Sequence, residues 1–223
     1  MKIDQTKKWK QIIDEYFEKE VRTMEAELRS DGLHISGYVN VPGRPSRPVM
    51  TPRGRVIEII EQRAFERAIA KAQKISMLLD HDKNHVLADT DSGTLMVKED
   101  AIGLRAESVT NDKDVIEGAK QGRLKGWSFD MRNVVDELEE RTEGLPIRRV
   151  KDFEMSEITL AMNKIPVYSS TSIEVRADGT DNDVEMRAIA FDSVKFTDVI
   201  PATPEKPEFD NSEYEKRLKA LGI

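Results

Sequence analysis

The sequence of 223 residues contains no cysteine. That absence excludes disulfide bonds, cysteine nucleophiles, and zinc or iron–sulfur centres held by cysteine. No hydrophobic run approaches the roughly 20 residues that a membrane-spanning helix needs, so we expect no membrane segment. The first ten residues are polar and lack the hydrophobic core of a secretion signal, so we expect no export. A reducing cytoplasm is consistent with all three absences.

Basic residues are fewer than acidic ones, with 35 Lys and Arg against 42 Asp and Glu and a formal net charge of −7. A broad basic surface for nucleic acid is therefore not expected. Most of the acidic excess lies in residues 177–223, which hold 6 basic and 11 acidic residues, whereas residues 1–176 hold 29 and 31. The same segment contains Pro201, Pro204 and Pro207. We interpret 177–223 as an acidic tail that links or tethers rather than packs.

Hydrophobic residues make up 38% of the chain, which is enough for a core. Residues 7–22 have hydrophobic side chains at helical spacing, so 1–22 is predicted to be a separate amphipathic helix. From residue 23 the hydrophobic period changes to two. Alternation and turn signals then predict strands, in order, at 24–28, 33–39, 56–60, 75–79, 94–97, 103–108, 125–135, 148–153, 156–161 and 171–175.

Helices and loops are predicted between these strands. Two internal helices are expected at 62–72 and 112–121, and the proline- and glycine-rich stretch 42–54 is expected to be an irregular loop. Residues 186–199 are expected to add one or two weak strands, and 213–221 a short terminal helix.

The connections between the strands indicate the fold class. Successive strands are joined by hairpin-like connections, and strands and helices do not alternate regularly enough for a doubly wound parallel sheet. The predicted fold is α+β, with a mostly antiparallel, β-barrel-like core over 23–176 and flanking helices.

Only three histidines are present, His34, His81 and His85. His34 is expected to be an exposed residue of an alternating strand. His81 directly follows a hydrophobic strand, and a side chain at the end of a rigid strand is well placed for a functional site. His81 and His85 stand four residues apart, a spacing that binds one metal ion when it falls on a helix. Asp80 and Asn84 indicate a turn instead, and no third ligand is evident, so a metal site is the weaker interpretation.

Two further polar residues lie in segments predicted to be strands. Ser128 follows Gly126 by two positions, but the hydrolase elbow would need a second glycine at 130, where the chain has Asp130. From the local sequence alone, Ser128 is predicted to be a small strand residue and Glu157 the outward residue of an alternating strand. The neighbouring basic residues are expected on a solvated face; they are Arg148, Arg149 and Lys151.

An ordered series of short segments connects these candidates. The segments are Gly37-Tyr38-Val39, Glu58-Ile59-Ile60, Ala64-Phe65, Leu78-Leu79-Asp80-His81-Asp82, Ser92-Gly93-Thr94-Leu95, Gly103-Leu104, Gly118 to Gly122, Gly126-Trp127-Ser128-Phe129, and Glu157-Ile158-Thr159-Leu160 before Pro166. The series, over about residues 22–176, resembles the phage prohead proteases, which are serine proteases of capsid maturation. The chain departs from the usual family pattern at Glu61 to Arg63, at Asp130 and at Asn163 to Val167. Asp130 stands where glycine is common, which is expected to reshape the pocket.

The resemblance implies a fold similar to the herpesvirus assemblins and a set of catalytic residues. The family's catalytic histidine corresponds to His81, its catalytic serine to Ser128, and the acidic residue of its Glu-x-Ser/Thr-Leu segment to Glu157. His85 competes with Glu157 for the third place, because the related assemblins use a second histidine, and Asp82 is a weaker choice. The chemistry agrees, since a serine hydroxyl becomes a good nucleophile only when a neighbouring imidazole accepts its proton.

The resemblance therefore predicts a prohead maturation protease. It would be a serine endopeptidase that cleaves capsid and scaffold proteins, and itself, inside the assembling procapsid in the cytoplasm of the bacterial host. The expected partners are the major capsid protein, the scaffold and a second copy of the chain; no cofactor, metal, nucleic acid or membrane is implied. Two alternatives stay open. One is a catalytically inactive scaffold or assembly protein, and the other is a metal-dependent hydrolase that uses His81 and His85.

Overall fold

The structure is a computed structural model, and it describes residues 23–163 and 184–199 together with Ala220. The predicted helix at 7–22 and the predicted strand at 171–175 lie outside the described residues, as does the helix at 213–221 apart from Ala220. Among the described residues, no helix is long and apolar enough to cross a membrane.

The described residues form thirteen strands and two helices. In chain order they are β1 (Thr23–Arg29), β2 (Gly32–Asn40), β3 (Pro48–Thr51), β4 (Gly54–Ile60), α1 (Ala64–Lys71), β5 (Ser76–Leu79), β6 (Asp82–Asp89), β7 (Leu95–Glu99), β8 (Leu104–Thr110), α2 (Lys113–Lys120), β9 (Gly126–Glu139), β10 (Ile147–Glu154), β11 (Glu157–Ala161), β12 (Glu185–Ala190) and β13 (Ser193–Asp198).

The strands form two sheets. The first has the order β13-β1-β2-β8-β7, and the second has the order β3-β4-β10-β9-β11-β5-β6, with β12 paired to the free side of β9. Eight of the eleven strand pairings are antiparallel; the parallel ones are β1–β13, β4–β10 and β5–β11. The mostly antiparallel α+β architecture is therefore confirmed. The barrel-like closure is not found in the described part of the chain, because the edge strands of each sheet do not pair with one another.

The core lies against one face of β9. Trp127, Phe129 and Met131 alternate along the strand and are fully buried, as expected when every second side chain of a strand points to the same face. Phe65 of α1 packs edge-on against Phe129 at a ring-centroid distance of 5.2 Å and against Phe153 at 5.3 Å. The opposite face of β9 carries Ser128 and Asp130, which are also buried. The strand thus separates an apolar face from a buried polar one.

Two strands were not expected from the sequence. The stretch 42–54 contains β3, which pairs with β4 in a hairpin, so the prediction of an irregular loop is wrong for 48–51. Pro48 begins an edge strand, a position at which proline is tolerated because no neighbour needs its missing N–H. β6 follows the turn after β5 and pairs back onto it, although its exposed, polar first half shows little hydrophobic alternation.

Five buried charged side chains, which we call the ion cluster, join β4, β9, β10 and β12. They are Glu58, Asp136, Arg148, Glu185 and Arg187. Arg187 donates two hydrogen bonds of 2.6 and 2.7 Å to Glu58, and Arg148 donates two of 2.5 and 2.6 Å to Glu185. Arg148 also bonds Glu58 and Asp136.

The basic residues of β10 were predicted to lie on a solvated face, and the structure differs at one of them. Arg148 is only 3% exposed, so its predicted place on a solvated face is wrong. The side chains of Arg149 and Lys151 are 40% and 45% exposed, in agreement with that prediction. Alternation along β10 separates Arg148 from Arg149, and the carboxylates of neighbouring strands make the buried position of Arg148 tolerable.

The described part of the acidic segment 177–223 contributes to both sheets, so the interpretation that this segment links or tethers rather than packs is wrong for β12 and β13. β12 pairs antiparallel with β9 from Met131 to Gly126, and β13 pairs parallel with β1. The prediction of one or two strands within 186–199 is thus confirmed. The division of the chain into units at 22 and 176 stays a prediction.

Candidate active site

Ser128 lies in the first half of β9, where the strand is flanked on both sides. It is directly opposite Thr159 of β11 on one side and Ala188 of β12 on the other. Directly opposite residues of neighbouring strands project to the same face, with Cβ atoms about 4.5–5.5 Å apart. Ser128 is 2% exposed, and its hydroxyl oxygen has no hydrogen-bond partner among the described residues. A polar atom buried without a partner is unusual in a stable fold and calls for an explanation.

His81 lies in the turn between β5 and β6. Asp80 and His81 both have left-handed backbone conformations, with φ of 50° and 62°. The turn is fastened to the end of β11: Asp80 donates its N–H to the Leu160 carbonyl, and its carboxylate accepts the N–H groups of Met162 and Asn163 and the side-chain amide of Asn163. These bonds stabilise a backbone conformation that aspartate adopts more readily than most residues.

Glu157 and His81 are brought together across 76 positions of the chain. His81 Nδ1 lies 2.8 Å from Glu157 Oε1, and the two side chains are 16% and 6% exposed. An ionised carboxylate only accepts hydrogen bonds, so this contact requires the proton on Nδ1. In a neutral imidazole, a proton on Nδ1 leaves the lone pair on Nε2, the atom that can then act as general base.

Thr159 lies between these groups, two residues after Glu157 on the same face of β11. Its hydroxyl oxygen is 3.2 Å from His81 Nδ1 and 3.4 Å from Glu157 Oε1. With Nδ1 protonated, the Thr159 hydroxyl donates its proton to Glu157. Sequence reasoning missed this residue, although a threonine two positions from a candidate carboxylate in a strand is a usable signal, because the two must share a face.

The three candidate residues therefore do not all meet directly. Glu157 is bonded to His81, whereas Ser128 is one strand away, opposite the threonine that contacts His81. Ser128 and Glu157 project from one face of the paired strands β9 and β11, and His81 reaches Glu157 from the turn after β5. The catalytic roles of His81, Ser128 and Glu157 stay predictions.

The competing partners for His81 bond elsewhere. His85 Nε2 lies 2.7 Å from Asp112 Oδ2, and Asp112 also caps the first turn of α2 by accepting the N–H of Val115. Burial raises the pKa of Asp112, but the hydrogen bonds from His85 and Val115 outweigh burial and hold that pKa below its ordinary value. Asp82 accepts the N–H of Asn84 at the start of β6.

The metal-site alternative has no geometric support in the described ranges. His81 and His85 bond two different carboxylates, and no group of three or more His, Cys, Asp or Glu side chains there is arranged to hold a metal ion. His34 also lies apart from the site. It is bonded to Asp31 at a strand turn, at 2.8 Å.

Comparisons with known proteins bear on the same stretch of chain. The family model described as caudovirus prohead serine protease matches residues 19–185, which is 167 of the 223 residues. That match includes every strand and helix from β1 to β11. A comparison with curated proteins and one with solved structures each found no match.

Proposed function

Because the chain belongs to the caudovirus prohead serine proteases, we propose that it is a serine endopeptidase with Ser128 as nucleophile, His81 as general base and Glu157 as the residue that orients His81. As a member of this family, the protein is a serine peptidase of bacteriophage capsid maturation, and hence a peptide-bond hydrolase. The observation that carries the residue assignment is the hydrogen bond between His81 Nδ1 and Glu157 Oε1 on the face from which Ser128 projects.

The proposed reaction follows from this arrangement. As Ser128 Oγ attacks the carbonyl carbon of the peptide bond, its proton passes to His81 Nε2. The imidazolium then protonates the leaving nitrogen, the C–N bond breaks, and an ester to Ser128 remains. His81 next takes a proton from water, the hydroxide attacks the ester, and the proton returns to Ser128 Oγ as the acid product leaves. Glu157 stays ionised and stabilises the charged imidazole in both steps.

Ser128 and His81 must come into contact before they can react, and Thr159, which lies opposite Ser128 and 3.2 Å from His81 Nδ1, links the two positions. Catalytic hydrogen bonds are often long or absent without substrate and form when substrate binds. Within the described residues, the Ser128 hydroxyl has no hydrogen bond to break before it turns toward His81. The same observation also favours the second candidate, an assembly protein without activity, because a serine that never meets its base would remain buried and unreactive.

We further propose that the substrates are the major capsid protein and scaffold of the same phage, and the chain itself. The site of action would be the interior of the assembling procapsid in the bacterial host. The proposal requires no cofactor, nucleic acid or membrane; a second copy of the chain is an expected partner, and the fold is expected to be similar to that of the herpesvirus assemblins.

A cleavage assay separates the two candidate functions. The purified chain is incubated with the capsid and scaffold proteins of its phage, with and without a chelator, and the products are identified by mass spectrometry. Specific cleavage that Ser128→Ala abolishes and the chelator leaves intact is expected. Absence of cleavage in both the wild type and the variant would favour the assembly protein, and loss of cleavage with the chelator would favour a metal-dependent hydrolase.

The domain division is tested by truncation. A chain that ends at Val199 retains β12 and β13 and is expected to remain folded and active on a supplied substrate. A chain that ends at Arg176 loses both strands, including Glu185 and Arg187 of the ion cluster, and is expected to lose stability. Equal thermal unfolding of the two truncated chains would show that 177–199 is a separable tail.

A further inference from the structure

Asp130 is a fully buried carboxylate that the proposed mechanism does not use. It lies on β9 two residues after Ser128 and has no exposed surface. Its Oδ1 accepts the backbone N–H groups of Ser156 and Glu157, both at 2.8 Å. Its Oδ2 accepts the Ser156 hydroxyl at 2.7 Å and Arg132 Nε at 3.0 Å. A buried carboxylate with four hydrogen bonds is held in one orientation, and it holds its donors in turn.

The donors lie where the regular ladder beside β9 is interrupted. β10 and β11 both pair with β9, but β10 ends at Glu154 and β11 begins at Glu157. The register of β10 on β9 also shifts twice before the break, between Val150 and Glu154. Glu157 is therefore the first residue of β11. Its backbone pairs with Ser76 of β5 on one side, whereas pairing with β9 begins only at the next residue.

We propose that Asp130 is a positioning residue that holds Glu157 against His81, an inference that rests on the proposed function. The carboxylate replaces the missing ladder bonds at the start of β11 and fixes the backbone from which the Glu157 side chain extends. Because Asp130 and Ser128 share one face of one strand, the same contact sets the spacing between Ser128 and the Glu157–His81 pair. Displacement of catalytic groups by about 1 Å can lower a rate about 10²-fold.

The first test compares two equivalent substitutions. Asp130→Asn keeps the size of the side chain but replaces one acceptor with a donor, which opposes the donors on that side. Asp100→Asn makes the same change at a carboxylate that also accepts two backbone N–H groups, those of Ile102 and Gly103, in the turn before β8. Asp130→Asn is expected to lower kcat about 10²-fold with KM nearly unchanged, and Asp100→Asn to change neither.

A double-mutant cycle distinguishes positioning from general damage. If Asp130 acts through Glu157, Asp130→Asn has almost no further effect on kcat in a Glu157→Gln background, because residues that act as a unit are not additive. Ser156→Ala removes only the hydroxyl bond to Oδ2 and keeps both backbone bonds to Oδ1, so a smaller loss than that of Asp130→Asn is expected. Additive losses in the cycle would overturn the proposal.

A spectroscopic readout tests Asp130 without any activity. The chain has three histidines, so the imidazole signals of each can be followed by NMR. In the wild type a protected Nδ1–H signal of His81 is expected, which Asp130→Asn weakens while His34 and His85 are unaffected. Absence of that signal in the wild type, or its full retention in Asp130→Asn, would overturn the proposal. If Asp130→Asn does not fold, Asp130→Ser, which keeps one short acceptor, is judged by the same signal.

The two readouts keep two different failures apart. A wild-type chain that cleaves no protein contradicts the proposed function, and the NMR comparison still decides whether Asp130 holds Glu157 on His81. A wild-type chain that cleaves its substrates, with an Asp130→Asn variant of equal kcat, contradicts only the role of Asp130.

Discussion

Two buried polar groups of side chains lie in the second sheet, and they differ in how completely they are satisfied. In the ion cluster, Arg187 bonds the carboxylates of Glu58 and Glu185, and Arg148 bonds these two and Asp136. The exposed Arg53 forms an ion pair with Asp136 at 2.9 Å, although Asp136 Oδ1 accepts no hydrogen bond from the described residues. In the candidate active site, His81 is bonded on one ring nitrogen to Glu157, and the Ser128 hydroxyl has no partner in the described part of the chain.

This difference separates a structural role from a chemical one. The charged side chains of the ion cluster are all paired with one another or with Arg53, so none is available to a substrate. Removing one of them leaves a buried charge without a partner, which is strongly destabilising. In the candidate site, a buried serine hydroxyl that no described residue bonds is available to a substrate, at some cost in stability. The comparison predicts that substitutions in the ion cluster reduce stability and that substitutions in the candidate site reduce activity.

The largest effect is expected when the nucleophile or the base is removed. Ser128→Ala and His81→Ala are each expected to lower kcat by about 10⁴-fold or more, and the double variant little further, since the pair acts as a unit. The thermal unfolding temperature should be unchanged or raised in Ser128→Ala, because the substitution removes a buried hydroxyl that no described residue bonds. Ser108→Ala is the matched control, since the Ser108 hydroxyl is also buried and also unbonded by the described part of the chain, but it lies in the other sheet. Residual cleavage of more than a few per cent in Ser128→Ala would contradict the assignment.

The next largest effect is expected when Glu157 loses its charge. Glu157→Gln can donate to His81 Nδ1 and thereby favour the tautomer that cannot accept a proton from Ser128, so kcat should fall by about 10⁴-fold. The kcat of His85→Ala should fall less than about tenfold, because His85 bonds Asp112 and not His81 or Glu157. Parallel measurements of kcat on both variants decide between the two partners, and a larger loss in His85→Ala would reverse the assignment.

Substitutions in the ion cluster are expected to reduce stability without directly changing a catalytic group. Arg187→Met removes one cation from between Glu58 and Glu185 and should reduce the free energy of unfolding by about 3–5 kcal/mol. Arg149→Met is the control: its ion pair with Glu139 is exposed, and such pairs contribute about 0–1 kcal/mol. Denaturant unfolding measures both. Equal losses would mean that burial does not distinguish the two ion pairs.

A smaller effect on activity is expected at Thr159. Thr159→Val keeps the shape but removes the hydroxyl that donates to Glu157, and a hydrogen bond to a charged group contributes about 1.5–3 kcal/mol. A decrease in kcat of about ten- to 100-fold follows, since about 1.4 kcal/mol corresponds to a factor of ten. Thr159→Ser retains the hydroxyl and should retain most of the activity. A steady-state assay in which valine and serine behave alike would show that the threonine only fills space.

The smallest effect is expected on the pH dependence of the free energy of unfolding. Burial raises the pKa of Glu185, but hydrogen bonds and charge from Arg148 and Arg187 outweigh it and hold that pKa below its ordinary value. A carboxyl group whose pKa is lowered by folding stabilises the protein above its unfolded pKa, and the contribution is lost as the pH falls through the folded one. The free energy of unfolding should therefore decrease as the pH falls below the ordinary glutamate range, and less steeply in Glu185→Gln. Identical slopes of unfolding free energy against pH would show that Glu185 does not contribute.

Much of the fold followed from local patterns in the sequence. The hydrophobic strand before His81, the helices near 62–72 and 112–121 and the weak strands within 186–199 were all predicted, because alternation and capping are read within a few residues. β3 and β6 were not predicted, because four residues are too few for β3 to show alternation and the first half of β6 is polar and exposed. The number of sheets was not predicted either, since closure depends on which edges meet.

The sequence by itself determined most of the strands of the described chain, β3 and β6 excepted, and, through the family resemblance, which residues are candidates for chemistry. It left Glu157, His85 and Asp82 as rivals, it assigned Arg148 to the surface, and it marked Asp130 only as a departure from a pattern. Only the tertiary structure decided that His81 meets Glu157 across 76 positions and that Arg187 meets Glu58 across 129. The physical reason is that a hydrogen bond or ion pair depends on distance in space, and the pairing of β5, β9, β11 and β12 sets that distance.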